Sequence, residues 1–121
     1  MTLPVDEILR FLRSVHPYDS LAADTLDGIA QRFQVLNIDK GQPIYTFGEP
    51  MAGLYLVHDG EVEVRDGNGS PVSLLGPRNS FGERGLIRDN KAVTSTRAAA
   101  DSVLLMLPRA DFDTLMTTEP T

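Results

Sequence analysis

A series of short apolar segments, separated by turn residues, does the most to limit what this chain can fold into. The segments lie at 35–38, 43–46, 54–57, 62–64, 72–75, 93–99 and 102–107. Short strands at spacings of roughly eight to twelve residues indicate a β-sandwich or a small barrel. The Asp59-Gly60 pair predicts a tight hairpin between its flanking strands, and Asp66–Gly69 predicts a second hairpin.

Helical periodicity flanks the β-region at both ends. Ile8 and Leu12 belong to the apolar face of a first helix, which Pro17 ends because proline disfavours helix at the preceding residue. A second helix is expected to start near residues 22–24, and a short one after Pro108. The predicted organisation is a single domain, 1–121, with a helical lead-in at 1–33, a β-roll at 34–108 and a C-terminal helix stub at 109–117.

Composition excludes several classes of function. The 121 residues include no cysteine, so thiolate chemistry is ruled out, and two histidines, His16 and His58, argue against a metal site. Eleven Lys and Arg against 17 Asp and Glu give a net charge of −6, which argues against direct nucleic-acid binding. Without a membrane span or a signal peptide, the expected location is cytoplasmic. No catalytic motif is readable, so no enzymatic activity is expected.

One interruption of the β-pattern, from residue 76 to residue 91, is longer than a hairpin needs. Long loops in compact domains are usually functional. Gly82 permits a positive φ or a close backbone approach, and residues 83–88 are long enough for one helical turn. The free N–H groups at the start of such a turn attract an anion. This segment is therefore the predicted ligand site.

With these features in place, the chain resembles the cyclic-nucleotide-binding domain family of cAMP-dependent kinases, gated channels and bacterial CAP/FNR-type regulators. The resemblance covers residues 33–116. Its landmarks are Lys40-Gly41, Ile44-Tyr45, Gly48-Glu49, Leu54-Tyr55-Leu56-Val57, Gly60, Val62, Val64, Gly76, Phe81-Gly82-Glu83 and Thr96-Arg97-Ala98. The implied fold is α+β and mainly β: an eight-stranded jelly roll, or double-stranded β-helix, with N-terminal helices, a short cassette helix and a short C-terminal helix.

In this family, the loop at 81–95 would be the phosphate-binding cassette. The resemblance implies that backbone N–H groups of Gly82 and of the turn after it face the phosphate, and that Glu83 accepts a hydrogen bond from the ribose 2′-hydroxyl. Glu83 fits a surface or capping role equally well. The residues expected to bind ligand are Phe81, Gly82, Glu83, Arg84, Gly85, Leu86, Lys91, Ala92, Val93 and Ser95.

The family's phosphate-binding arginine is missing from this chain. A gap-free alignment places Lys91-Ala92 where the family has Pro-Arg, and an ammonium cannot replace the planar, bidentate guanidinium. Arg84 and Arg88 are other sources of positive charge. Losing the contact costs on the order of 1.5–3 kcal/mol, or roughly ten- to hundredfold in affinity. Val93 stands where a threonine favours cGMP, so cAMP is the more expected ligand.

Two hypotheses follow for function. The first is a regulatory domain that senses a cyclic nucleotide or related small anion at 81–95, weakly or through unusual contacts, with no other cofactor. The second is a degenerate domain that has no ligand and serves protein interaction or homodimerisation. The segments 8–12 and 16–18 resemble the N-terminal module of bacterial signalling proteins that carry CBS and nucleotidyltransferase-like domains. The chain is therefore expected to be a fragment, followed by effector domains.

Overall fold

The computed structural model describes residues 3–118, which form four α-helices and eight β-strands. The helices are α1 (Val5–Leu12), α2 (Ala23–Ala30), α3 (Glu83–Ile87) and α4 (Arg109–Thr118), and a 3-10 turn at Tyr18–Ser20 separates α1 from α2. The strands are β1 (Gln34–Ile38), β2 (Pro43–Tyr45), β3 (Gly53–Asp59), β4 (Val62–Arg65), β5 (Pro71–Leu75), β6 (Ser80–Phe81), β7 (Ser95–Ala98) and β8 (Ser102–Pro108). Within residues 3–118, each helix is too short or too polar to cross a bilayer.

The strands form two four-stranded antiparallel sheets. One sheet has the order β1-β8-β3-β6 and the other β2-β7-β4-β5. The longest ladder joins β3 and β8, and side chains on both of its faces are fully buried, including Leu56, Val57, Leu104 and Leu105. Successive side chains of a strand point to opposite faces. The ladder is therefore covered twice, by helices on one side and by the second sheet on the other.

This architecture is the eight-stranded jelly roll with flanking helices that the sequence predicted. Strand β6 has no periodic signal because it is two residues long, and pairing with β3 alone defines it. Strand β7 begins at Ser95, two residues later than the apolar run suggests. Val93 and Thr94 therefore lie outside the ladder, in the loop that follows α3.

The predicted hairpin at Asp59-Gly60 is wrong. Strand β3 pairs with β6 and β8, whereas β4 pairs with β5 and β7, so the two neighbouring strands belong to different sheets. Gly60 has a φ of +97°, and a Cβ there would lie 2.2 Å from Ser102 Oγ. The glycine lets the chain cross between sheets where any side chain would clash. The second predicted hairpin, Asp66–Gly69, does join the paired strands β4 and β5.

Candidate functional site

Helix α3 follows β6 through a glycine in the left-handed conformation. Gly82 caps the helix with φ +96° and ψ −9°, and a Cβ there would lie 2.9 Å from Met51 Cε. A Cβ on Gly85 would lie 2.6 Å from the carbonyl oxygen of Lys91. Leu86 is buried in the core. Gly82 thus lets the start of α3 lie against Met51, Gly85 lets the helix lie against the loop that follows it, and Leu86 anchors it there.

A cavity of about 220 Å³ lies between α3 and the sheet that contains β2, β4 and β5. Its wall consists of Tyr45, Met51, Val64, Val72, Ser73, Phe81, Gly82, Glu83, Arg84, Gly85, Val93 and Thr94. The rings of Tyr45, Tyr55 and Phe81 pack together with centroid distances of 5.2, 5.7 and 6.1 Å. Rigid aromatic and aliphatic side chains with a few polar groups are the usual lining of a small-molecule site. We call this space the α3 cavity.

Glu83 is the carboxylate in the wall of the α3 cavity. Its Oε2 atom is buried and has no hydrogen-bond partner among the described residues. Burial raises the pKa of Tyr18 and of Tyr45, and the nearby carboxylate of Glu83 raises both further. An unpaired buried acceptor is costly, because the water it lost on folding is not replaced. The site is therefore suited to a molecule that donates a hydrogen bond to Glu83.

Positive charge at the α3 cavity comes from Arg84 alone among the described lining residues. The Arg84 side chain is exposed, as expected for a guanidinium without a buried partner. Arg88, four residues further along, does not line the cavity. Lys91 is exposed and is held by a backbone bridge to Pro50, also outside the cavity. Of the cations considered from sequence, Arg84 is the one that the fold brings to the site.

The loop after α3 is tied to the loop after β2. The N–H of Ala92 donates to the Glu49 carbonyl oxygen at 2.7 Å, and the Ala92 carbonyl accepts from Gly48 at 2.8 Å. Ser95 Oγ accepts a hydrogen bond from the Phe47 N–H at 2.8 Å. Of the residues expected to bind ligand, Phe81, Gly82, Glu83, Arg84, Gly85 and Val93 line the α3 cavity, whereas Leu86, Lys91, Ala92 and Ser95 do not.

The sequence does not single out the other lining residues. These are Tyr45, Met51, Val64, Val72, Ser73 and Thr94. Val64 and Ser73 face each other across the β4–β5 ladder, yet in the sequence both look like ordinary strand residues. Thr94 lies within the predicted loop, 81–95, but was not among the residues expected to bind ligand.

The fold is a jelly-roll domain with a cavity of about 220 Å³ beside a short helix. The profile of the family described as "Cyclic nucleotide-binding domain" matches residues 35–119. The chain therefore belongs to the cyclic nucleotide-binding domain family.

Similar proteins include regulators and channels. The cyclic AMP receptor protein of Thermus thermophilus is 32% identical over 99 residues, which are 78% of this chain and 46% of that protein. A cyclic nucleotide-gated potassium channel of Mesorhizobium japonicum is 31% identical over 111 residues, which are 92% of this chain and 30% of the channel. The chain thus spans less than half the length of these relatives.

Among solved structures, the regulatory subunit of a cAMP-independent protein kinase A from Trypanosoma brucei superimposes with a TM-score of 0.85. It is 22% identical, and the match covers 93% of this chain and 43% of that one. At this identity the likeness shows the fold.

Proposed function

We propose that this domain is the ligand-sensing part of a bacterial signal-transduction protein and that it binds a cyclic nucleotide or a related small anion at the α3 cavity. The observation that carries the proposal is that Glu83, a residue of the cavity wall, has a buried Oε2 without a hydrogen-bond partner among the described residues. Family membership supports a regulatory role, because regulators and channels are among the similar proteins.

In this proposal Glu83 recognises a hydroxyl group of the ligand. A ribose hydroxyl donates to a carboxylate oxygen, and the resulting bond satisfies an acceptor that is otherwise buried without a partner. The carboxylate also repels a phosphate placed close to it, so it orients the ligand with the sugar hydroxyl toward Glu83 and the phosphate away from it. The apolar side chains of Val64, Val72 and Val93 are then available to pack against the base.

Arg84 takes the phosphate in place of the family's arginine. It is the basic residue of the described cavity wall, next to Glu83 on the same helix. Because the Arg84 side chain is exposed, its attraction for a phosphate is screened by water, and the contact contributes about 1 kcal/mol or less. Affinity for a cyclic nucleotide is consequently expected to be weak, with cAMP preferred to cGMP.

Calorimetric titration with cAMP, cGMP and AMP at low salt tests the proposal. Saturable binding is expected, weakened about ten- to hundredfold by Glu83→Gln, which keeps the size of the side chain but removes its charge. Arg84→Gln should weaken binding about threefold to fivefold. Arg88→Gln is the matched control, because it removes the same charge from the same short segment without touching the cavity. Flat titrations for all three nucleotides up to millimolar concentration would reject the proposal.

The second candidate function is a protein-interaction or dimerisation module without a ligand. Ala92 favours it, since the position aligned with the family's arginine is 4% exposed, outside the cavity, and bonded through its backbone to the preceding loop. Sedimentation equilibrium together with the nucleotide titration separates the two candidates: this one expects self-association without nucleotide binding, whereas the first expects nucleotide binding by a monomer or a dimer alike.

The rest of the protein is a further part of the proposal. The chain spans 46% of the Thermus receptor protein and 30% of the Mesorhizobium channel, which leaves room for effector domains downstream. We infer a cytoplasmic regulatory module without catalytic activity of its own. The resemblance of segments 8–12 and 16–18 to a signalling module is the ground for proposing CBS and nucleotidyltransferase-like domains as those effector domains.

A further inference from the structure

A second group of charged side chains surrounds a surface cavity beside α1. The cavity has a volume of about 370 Å³ and is lined by Glu7, Arg10, Phe11, Ser14, His58 and Arg78. We call these six residues the Arg78 cluster. None of them lines the α3 cavity, so the cluster is a separate feature of the fold.

Arg78 has a backbone conformation that arginine rarely adopts. Its φ is +75°, in the left-handed region, where a Cβ is strained. The turn from Gly76 to Asn79 closes with a hydrogen bond from the Asn79 N–H to the Gly76 carbonyl at 3.3 Å. A turn with proline second and a positive φ third usually carries glycine or asparagine at the third position. An arginine there is unexplained by the turn, and strained residues of this kind concentrate at functional sites.

The structure holds Arg78 firmly in place. Its N–H donates to the Val57 carbonyl at 2.9 Å, and the Val57 N–H donates to the Asn79 carbonyl at 2.9 Å, so the turn is fastened to β3. The side chain is exposed and makes a hydrogen bond, in which Nε donates to Ser14 Oγ at 3.3 Å. Ser14 Oγ in turn donates to the Phe11 carbonyl at 2.7 Å. The guanidinium is therefore oriented by two elements, the turn and the end of α1.

The two arginines of the cluster lack a carboxylate partner. The ion pairs among the described residues involve Arg32, Arg65, Arg97 and His16, and Arg10 and Arg78 make none within 4.0 Å. Both side chains are exposed, so what sets these two cations apart is that they line one cavity together. His58 adds an unsatisfied polar atom: its ring packs on Phe11 at 4.7 Å, and its Nδ1 is buried without a hydrogen bond.

We propose that the Arg78 cluster binds a phosphate group, with Arg78 and Arg10 as its cationic contacts. The planar fork of an arginine matches two oxygens of a phosphate, and two arginines match its double charge. The phosphate belongs either to a free ion or to a phosphorylated side chain, since both present the same oxygens. Glu7 opposes binding, because its carboxylate lines the same cavity and repels the anion.

Titration of the 15N-labelled chain with inorganic phosphate at low salt, followed by NMR, tests this site. The expected response is a saturable shift of the Arg78 Nε–Hε and His58 ring signals. Arg78→Gly should weaken phosphate binding about tenfold while raising the melting temperature by a few degrees, because glycine relieves the left-handed strain. Weaker phosphate binding in a variant that is more stable than the original protein cannot be caused by unfolding, so it reports on recognition of phosphate by Arg78. Arg10→Gln should weaken binding severalfold.

Removing the negative charge of the cluster should have the opposite effect, namely tighter phosphate binding. Glu7→Gln should tighten phosphate binding about threefold, whereas Asp6→Asn, the neighbouring residue in the first turn of α1, should leave it unchanged. Both variants alter net charge equally, so any difference between them is local to the cluster. A peptide that contains phosphoserine, titrated in parallel, identifies the source: tighter binding than inorganic phosphate assigns the group to a modified side chain, and equal binding assigns it to the free ion.

Two results would overturn the proposal. One is the absence of any phosphate-dependent shift at Arg78 and His58 up to tens of millimolar. The other is an equal loss of binding in Arg88→Gln, since Arg88 lies outside the cluster and reports only general attraction of phosphate to the surface.

Discussion

The α3 cavity and the Arg78 cluster differ in which charged groups lack a partner. In the α3 cavity, a buried carboxylate oxygen of Glu83 has no donor, and the nearby cation, Arg84, is exposed. In the Arg78 cluster, two arginines have no carboxylate partner, and the nearby acid, Glu7, faces the same surface cavity. The first site is suited to a ligand that donates hydrogen bonds, and the second is suited to a ligand that accepts them.

This difference teaches that net charge is a poor guide to what such a domain binds. A formal charge of −6 argues against a nucleic-acid partner, but it does not describe either site. Each site depends on a few groups that are held by packing: Glu83 by the short helix after Gly82, and Arg78 by a turn fastened to β3. The predictions below alter one site at a time and use the other as the reference.

The largest effect is expected from adding the missing cation to the α3 cavity. Ala92→Arg should tighten cAMP binding about ten- to hundredfold if the new guanidinium reaches the ligand phosphate. Calorimetry measures the gain, and a thermal melt verifies the fold, because Ala92 is 4% exposed. Lys91→Arg is the matched control, since it places an arginine at the neighbouring, exposed position without adding charge and should change nothing. A correctly folded Ala92→Arg variant with unchanged affinity would contradict a phosphate site at this loop.

The next effect is on stability. Gly85→Ala places a Cβ 2.6 Å from the Lys91 carbonyl oxygen and should lower the free energy of unfolding by about 2 kcal/mol, because backbone on both sides must move. Gly76→Ala is the control, with no heavy atom within 4 Å of its added Cβ. Urea unfolding measures both. Nucleotide binding should fall in Gly85→Ala while the phosphate response of Arg78 persists, and a parallel loss at both sites would show that they are not independent.

The tyrosines give a smaller, pH-dependent effect. Burial raises the pKa of Tyr18, Tyr45 and Tyr55 above the ordinary value of about 10, and Glu83 adds to this at Tyr18 and Tyr45. A raised pKa favours the neutral phenol in the folded state. The associated stability is complete below pH 10 and is lost as pH rises through the folded-state pKa values.

Ultraviolet titration of tyrosinate, together with urea unfolding between pH 8 and pH 11 or so, checks this expectation. Glu83→Gln should lower the pKa of Tyr18 and Tyr45, whereas Glu7→Gln in the Arg78 cluster should not. Identical titration curves for the two variants would mean that the Glu83 charge does not reach the tyrosines.

The smallest effect is expected where arginines already have a partner. Arg65 and Arg97 both contact Glu63, at 2.6 and 3.0 Å, and the hydrogen bond from Arg65 is the main reason that the pKa of Glu63 is lowered. Arg97→Gln should raise the pKa of Glu63 slightly and leave phosphate binding at the Arg78 cluster unaltered. NMR titration measures both quantities. Reduced phosphate binding in Arg97→Gln would indicate that any surface arginine contributes, with no distinct site.

Much of the fold is predictable from sequence because strand spacing and turn residues are local signals. Seven of the eight strands, α2 at Ala23, and the glycine that precedes α3 follow from such signals, whereas the eight-stranded arrangement came from the family resemblance. The two Asp-Gly turns show how far local signals can predict the fold. Asp66–Gly69 joins two paired strands, whereas Asp59-Gly60 carries the chain between sheets, and the same dipeptide serves both.

The candidate site likewise has a part that the sequence predicts and a part that only the structure reveals. Phe81–Gly85 forms one continuous motif, so the sequence locates this part of the α3 cavity. Val64 and Val72 reach the cavity from β4 and β5, and no local pattern distinguishes them from strand residues that face elsewhere. Arg78 is not predictable from the sequence either. An arginine at this position carries no local signal, because its left-handed backbone and its contact with Ser14 exist only in the folded chain.

By itself, the sequence determined that this chain builds a β-roll between helices and that a glycine precedes the short helix of the long loop. Those features depend on residue type and on neighbours close in the chain. Tertiary structure alone decided that Glu83 keeps an unpaired oxygen, that Arg84 and not Arg88 meets the cavity, and that Arg78, Ser14 and His58 share one surface. Burial and charge pairing are properties of distant segments brought together, and no local pattern records them.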